Sequence, residues 1–323
     1  MKNTKISVII PTYNYAQYIL EALKSIENQN YPKELIEVII IDDGSTDSTP
    51  KLFENYKGTL NLTYHYQQNK GKANATQKGI SLCKGEIIFN LDADDFFYPE
   101  KILTIVTIFD KYPELTHVGH AAETIENGLI TKKELIPPNI SNQIVNGNEL
   151  LEEFLSTKLL FGGGSTFSAR SYKLKSVFMI GDVDMYIDEY LIYAACLNGK
   201  SYLIDQPLSV WRNHGHNFSF TNRGKKRDKS FRLSTSSVAM LSFINKNNFN
   251  KKIIDLYYLK HLDRHINHLE SYERKEFKHM IEVLKVIFSF KYTFNELLTY
   301  RIFSRLLPTI ILIKLKSIRD KNV

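Results

Sequence analysis

A chain of 323 residues is long enough for one large domain or two ordinary ones with a substantial buried core, which excludes peptide-scale and disulfide-stapled scaffolds. Its 43% hydrophobic and 24% charged residues, with 15 Gly and 9 Pro, describe a globular protein and not a disordered or fibrous one. The net charge of +7 is unevenly divided: residues 221–323 carry 22 Lys and Arg against 9 Asp and Glu, whereas residues 1–220 are acidic, with 20 against 26.

The opening MKNTKISVIIPTYN has too few apolar residues before Pro11 for a signal-peptide core. No stretch approaches the roughly 20 apolar residues that span a bilayer, so a cytoplasmic protein is expected. Short β-branched runs at residues 5–10, 37–41, 62–66 and 86–91 read as strands. Between them, Ile19, Leu23 and Ile26 recur at helical spacing, a helix opens near Asp47 and Pro50, and Ala73 to Leu82 forms another. Pro99 begins a further helix reaching about Asp110. Such alternation predicts a mostly parallel sheet covered on both faces, with ligands bound beyond the carboxyl ends of its strands. Residues 121–160 are less regular, Asp182 to Leu197 is helical, and from about 225 the pattern is basic and helical without convincing strands. Cys83 and Cys196 stand alone in apolar segments and read as buried small hydrophobes.

Three polar clusters follow strands: Pro11-Thr12-Tyr13-Asn14, Asp42-Asp43-Gly44-Ser45 and Asp92-Ala93-Asp94-Asp95. Each alone is compatible with a polar turn. On one sheet edge they point to a ligand, and the repulsion among Asp92, Asp94 and Asp95 calls for a hard divalent cation such as Mg²⁺ or Mn²⁺, which takes oxygen ligands and bridges phosphates. That chemistry by itself suits any Mg-dependent phosphate enzyme, a nucleotidyltransferase included.

These clusters, together with Asn69-Lys70-Gly71, Gly85-Glu86-Ile87-Ile88, Asp188 ahead of Gly199-Lys200, and the segment Trp211-Arg212-Asn213-His214-Gly215-His216-Asn217-Phe218-Ser219, resemble in order and spacing the motifs of family 2 glycosyltransferases. The resemblance covers roughly residues 4–220. It implies the GT-A fold, a Rossmann-like mixed sheet covered by helices, here followed by a mainly helical C-terminal region. It also implies inverting transfer from a nucleotide-sugar donor to a hydroxyl of a glycan or lipid-linked saccharide, as in surface polysaccharide biosynthesis. By the resemblance, Tyr13 stacks on the base with Pro11 and Thr12 shaping the loop, and Asp43 accepts from the base imide, which favours a UDP-sugar. Asp92 and Asp94 contact ribose, metal and diphosphate with Asp95 in support, and His214 is a further metal or diphosphate ligand. The metal set is therefore Asp94, Asp92 and His214, with Mn²⁺ or Mg²⁺ bound. Asp188 is the base, Ile187 replacing the usual preceding Glu; Glu189 is the alternative if the alignment slips by one, since neighbours on a helix point about 100° apart. Thr76 and Gln77 stand where many members carry Arg-Asn, and Lys70 or Lys72 supplies the missing positive charge.

Other features carry less. Gly162-Gly163-Gly164 lacks phosphate-loop spacing and reads as a turn or a wall of the sugar pocket. His261, His265 and His268 share helical spacing without an accompanying acid motif, the pattern of a polar helix face. Arg170 reads as structural. In 297–323 basic residues alternate with aliphatic and aromatic ones, which suits either an anionic membrane surface on the inner face of the cell membrane or packing on the catalytic domain or another subunit. Nucleic acid is not an expected partner, because no RNA- or DNA-binding module is recognisable and the acidic region repels phosphates. The expected division is a catalytic domain at 1–222 and a basic, mainly helical region at 223–323.

Overall fold

The computed structural model describes residues 3–54, 56–157, 163–176, 183–214, 226–258 and 260–261. Gly162, Asp182, His216, His265, His268 and the segment 297–323 lie outside them. Strands β1 (Ile6–Thr12), β2 (Ile36–Asp42), β3 (Asn61–Tyr66) and β4 (Ile87–Asn90) alternate with helices α1 (Ile19–Glu27), α2 (Thr49–Glu54) and α3 (Lys72–Leu82). A short β5 (Phe96–Phe97) and α4 (Lys101–Lys111) follow. Next come β6 (Leu115–Glu126), β7 (Leu129–Glu134), β8 (Ile144–Asn146), α5 (Gly147–Thr157), β9 (Phe167–Arg170), α6 (Ser171–Ser176), α7 (Ile187–Cys196), β10 (Lys200–Asn213) and α8 (Lys226–Lys246).

The strands form one sheet in the order β3-β2-β1-β4-β9-β6-β10-β5, with β7 beside β6 and β8 beside β10. The first four are mutually parallel, as the strand and helix alternation predicts. The sheet is mixed beyond them because β9 runs antiparallel to both β4 and β6. Two reversals restore the original direction, and β10 is parallel to β6. The carboxyl end of β10 therefore reaches the same edge as those of β1, β2 and β4. The irregular stretch at 121–160 is in fact the end of β6, the hairpin to β7, β8 and α5. Its strands escape a periodicity reading because β6 is buried almost throughout, whereas Leu129 to Lys133 is exposed on both faces.

Unbroken apolar runs in the first strands follow from cover on both faces. Ile6, Val8 and Ile10 of β1 pack with α1 and α4 on one side, and Ile9 packs with α3 on the other. The second core continues through α5 and α7 into Met240, Phe243 and Ile244 of α8 and on to Phe249, Ile253 and Tyr257. Met240 through Tyr257 thus contribute to one core with the helix that follows Asp184. Cys83 and Cys196 are free and buried, as their apolar settings predict. No described helix is long and apolar enough to cross a membrane.

Candidate active site

Positive φ at the strand ends shapes the first part of the site. Asn14 has φ 59°, and its side-chain oxygen accepts from the amides of Thr46 (2.7 Å) and Asp47 (3.2 Å), tying the loop after β1 to the loop after β2. Gly44 has φ +83°, and a Cβ there would lie 2.8 Å from the amide nitrogen of Asn69, so glycine lets the two loops touch. Asp43 is buried and holds the next loop: Oδ1 accepts from Gln67 Nε2 (2.7 Å) and the Lys70 amide (2.9 Å), and Oδ2 from the Gly71 amide (2.7 Å). Pro11 and Thr12 are buried at the foot of this cleft, while Tyr13 presents an exposed ring.

Lys70 is exposed and contributes its backbone. The ammonium that enters the site belongs to Lys72, at the start of α3: Nζ is 2.9 Å from Asp92 Oδ2 and 3.3 Å from Asp188 Oδ1. Burial opposes its charge, yet Asp188 and Asp92 outweigh that and hold it above the usual lysine range. Burial raises the Asp188 carboxyl, Lys72 pulls it back and Asp92 pushes it up again. Glu189 points elsewhere. It is buried and paired with Lys260, so the first turn of α7 aims Asp188 at the cleft and Glu189 at the C-terminal helices.

Gly164, with φ +53°, separates the two carboxylates: a Cβ there would meet Asp188 Oδ2 and Asp92 Oδ2, each at 3.7 Å. The next residue is a hub. Ser165 Oγ accepts from the Asp92 amide (3.0 Å) and donates to Asp95 Oδ2 (2.6 Å). Its carbonyl accepts from Lys101 Nζ (2.6 Å) and Ser209 Oγ (2.7 Å). Lys101 is fully buried, also donates to Ser209 Oγ (3.0 Å), and lies 3.4 Å from the Phe97 ring centroid. Burial drives its ammonium well below the usual lysine range, against Asp95. Burial, Asp94 and Asp92 raise Asp95 well above the usual carboxylate range.

From β10, the Arg212 amide donates to Asp95 Oδ1 (3.0 Å) and Arg212 Nε to the Asp94 carbonyl (3.0 Å), while its guanidinium pairs with Glu21 (2.6 Å). His214 Nε2 is 3.1 Å from Asp94 Oδ2, and its ring stacks on Tyr18 at 4.4 Å. Tyr15 completes the cage: its hydroxyl bonds Asp94, and burial, Asp94 and Asp92 raise it above the usual phenol range. Burial and Asp92 likewise raise Asp94.

A divalent cation fits the pair Asp94 and His214, because Mg²⁺ and Mn²⁺ are commonly held by one or two protein ligands with phosphate oxygens and water completing the shell. Asp92 faces Lys72 instead, and among the described residues no group of three or more His, Cys, Asp or Glu converges as a metal cluster. The resulting cleft has a volume of about 270 Å³ and is walled by the acidic loop, Gly163, Gly164, Asp188, Glu134, Trp211 and Arg212.

Asp92, Asp94, Asp95, Asp188 and His214 thus lie together, while Asp43 holds the neighbouring loop at Gln67 to Gly71. Tyr15, Tyr18, Lys101, Ser165 and Glu134 were not anticipated. Only Lys101 leaves a trace in the sequence, as a lysine six residues beyond Asp95 followed at once by Ile102 and Leu103. Arg170 is structural, as expected, donating to the Phe109 carbonyl at 3.0 Å. His261, within helical spacing, lies 2.7 Å from Ser237 Oγ.

The family model described as Glycosyl transferase family 2 matches residues 7–178. An uncharacterized glycosyltransferase of Nostoc sp. is 31% identical over 223 residues, 66% of each chain. Poly(ribitol-phosphate) beta-N-acetylglucosaminyltransferase TarS of Staphylococcus aureus is 34% identical over 110 residues, 33% of this chain and 19% of TarS. The chain spans 23% of the length of two Rickettsia relatives that it matches. The structure of TarS 1-349 in complex with UDP-GlcNAc superposes with a TM-score of 0.62 at 19% identity, covering 94% of this chain and 82% of that one. Mannosyltransferase PcManGT from Pyrobaculum calidifontis, in complex with GDP-Man and Mn²⁺, gives 0.54 at 18% identity, covering 98% and 88%.

Proposed function

Because the chain belongs to glycosyltransferase family 2, we propose that it transfers the sugar of a UDP-sugar to a hydroxyl of a glycan or lipid-linked saccharide by direct displacement with inversion, in surface polysaccharide biosynthesis. The observation that carries this reading is the gap over Gly164, with Asp188 on one side, Asp92 on the other and Lys72 between them.

In this reading the nucleotide lies along the strand ends, its base on exposed Tyr13 above Pro11 and Thr12. Asp43 and Lys70 form the wall it faces. Asp43 already accepts three hydrogen bonds, and a carboxylate with about four acceptor positions retains room for the base imide. Asp92 receives the ribose and diphosphate, Asp94 and His214 hold Mn²⁺ or Mg²⁺, and Asp95 fixes the loop. A cation bound there would supply charge stabilisation to the departing diphosphate. Asp188 takes the proton of the acceptor hydroxyl as the new bond to the anomeric carbon forms and the bond to the diphosphate oxygen breaks, the electron pair leaving with the nucleoside diphosphate. Residues 1–222 form the catalytic part, and 297–323 bring it to an anionic membrane on the cytoplasmic side.

Asp188→Asn should lower kcat for transfer by about 10²–10⁴-fold, the usual contribution of a general base. UDP binding measured by calorimetry should remain. Asp94→Ala should remove metal-dependent donor turnover. Full activity in either variant refutes the assigned role. Deleting 297–323 should reduce sedimentation with anionic vesicles, and undiminished sedimentation removes the membrane role.

A further inference from the structure

The register of the sheet places a second binding surface beside the gap over Gly164. Ser209 of β10 pairs with Ala122 of β6, which pairs with Glu134 of β7; Trp211 pairs with Thr124, which pairs with Lys132. Residues in register, and those two apart along a strand, share a face. Trp211, Ala122 and Glu134 are therefore on one face, and it is the face that Ser209 turns toward the Ser165 carbonyl. Two strand spacings separate β10 from β7, roughly 10 Å. Ala122, on the strand between, is buried and small. The result is a trough with a low floor, the Trp211 indole on one wall and the Glu134 carboxylate on the other, and both residues line the same cleft as Asp188.

We propose that this trough is the acceptor subsite and that it takes an uncharged sugar ring, which rests its apolar face on Trp211 and donates hydroxyl hydrogens to Glu134. The proposal builds on the glycosyltransferase reading above. An indole offers a wide, rigid apolar face that matches the carbon-bound hydrogens of a sugar ring, and a carboxylate is an acceptor-only partner for hydroxyl donors. The charge balance favours a neutral acceptor, because the two lysines at the site are already committed, Lys72 to Asp92 and Asp188 and Lys132 to Glu134. Glu134, Asp188, Asp92, Asp94 and Asp95 all line the cleft, while the Arg212 guanidinium there is drawn to Glu21 and the Asp94 carbonyl. A phosphate beside the reacting hydroxyl would meet carboxylates, whereas a neutral ring would not.

Trp211 is the single tryptophan of the chain, so its fluorescence reports this wall alone. The full chain, saturated with UDP and Mn²⁺, is titrated with methyl pyranosides and neutral disaccharides of several configurations, and separately with ribitol 5-phosphate. At least one neutral sugar should change the emission saturably and ribitol 5-phosphate should not. Glu134→Gln should raise the apparent dissociation constant about tenfold, the loss expected of one hydrogen bond to a charged group. No saturable response to any neutral sugar, a stronger response to ribitol 5-phosphate, or an unchanged constant in Glu134→Gln overturns the proposal. Calorimetric UDP binding on the same samples separates the two readings: UDP binding without a sugar response defeats the subsite, and absence of UDP binding defeats the transferase reading.

Discussion

Lys72 is the residue on which the charge balance of the site turns. Its ammonium is shared between Asp92 and Asp188, and it opposes the upward push that burial and Asp92 exert on the Asp188 carboxyl. A base works only when deprotonated, so transfer should fall as pH drops through the Asp188 value, which burial places above the ordinary aspartate range. Lys72→Met leaves burial and Asp92 acting alone. The acid limb of the kcat profile should then move to higher pH, with activity recovering as pH rises and Lys72→Arg remaining closer to wild type. An acid limb that stays in place would separate Lys72 from the base. The importance of this lysine was only half legible in the sequence. A need for positive charge after Gly71 could be read from the absent arginine, but Lys70 and Lys72 differ by two positions, and the turn into α3 is what sends one outward and the other into the cleft.

Among the elements, the segment Gly163–Ser165 joins the acidic loop to the core. Lys101 anchors it from below, donating to the Ser165 carbonyl and to Ser209 Oγ. Lys101 donates to a carbonyl and a hydroxyl and not to a carboxylate in its described hydrogen bonds, so an apolar side chain of similar size strands no hydrogen-bonded counter-charge, the loss that makes breaking a buried ion pair costly. Lys101→Met should therefore melt at or above the wild-type temperature while transfer declines, because Ser165 loses one of the two donors to its carbonyl. A marked fall in melting temperature would instead make Lys101 a stability residue. At the loop after β2, Gly44→Ala combines a left-handed backbone with a clash at 2.8 Å against the Asn69 amide. The backbone alone should cost about 1–2 kcal/mol, measurable by denaturant titration, with weakened UDP binding as the functional readout. Such elements were readable in outline: the first four strands and their helices follow from apolar runs and caps. β7 and β9 were not: β7 is exposed and lacks an apolar face, and β9 is short and pairs with β4 and β6, both distant in sequence.

Across the whole molecule, the described helical residues between 226 and 261 pack onto the core of the N-terminal region. Tyr190 packs on Phe243, Tyr193 on Phe249 and Tyr257, Arg232 pairs with Asp184, and Lys260 with Glu189. Phe243→Ala should destabilise the protein by about 3–5 kcal/mol and, because Tyr190 lies two residues from Asp188 on α7, should lower transfer as well. A loss in stability confined to the C-terminal helices, with transfer intact, would show that the two parts are energetically separate. The ordered strand-end motifs and the switch from acidic to basic composition are local properties, so a reading along the chain recovers the family, the sheet edge where the acids gather and the basic character of the tail. Which lysine enters the cleft, which of two adjacent acids faces it, and what stands across from Asp188 depend on contacts between residues far apart in the chain. Helix phase separates Asp188 from Glu189, and two antiparallel crossings bring His214 and Trp211 to the edge that the first strands prepared.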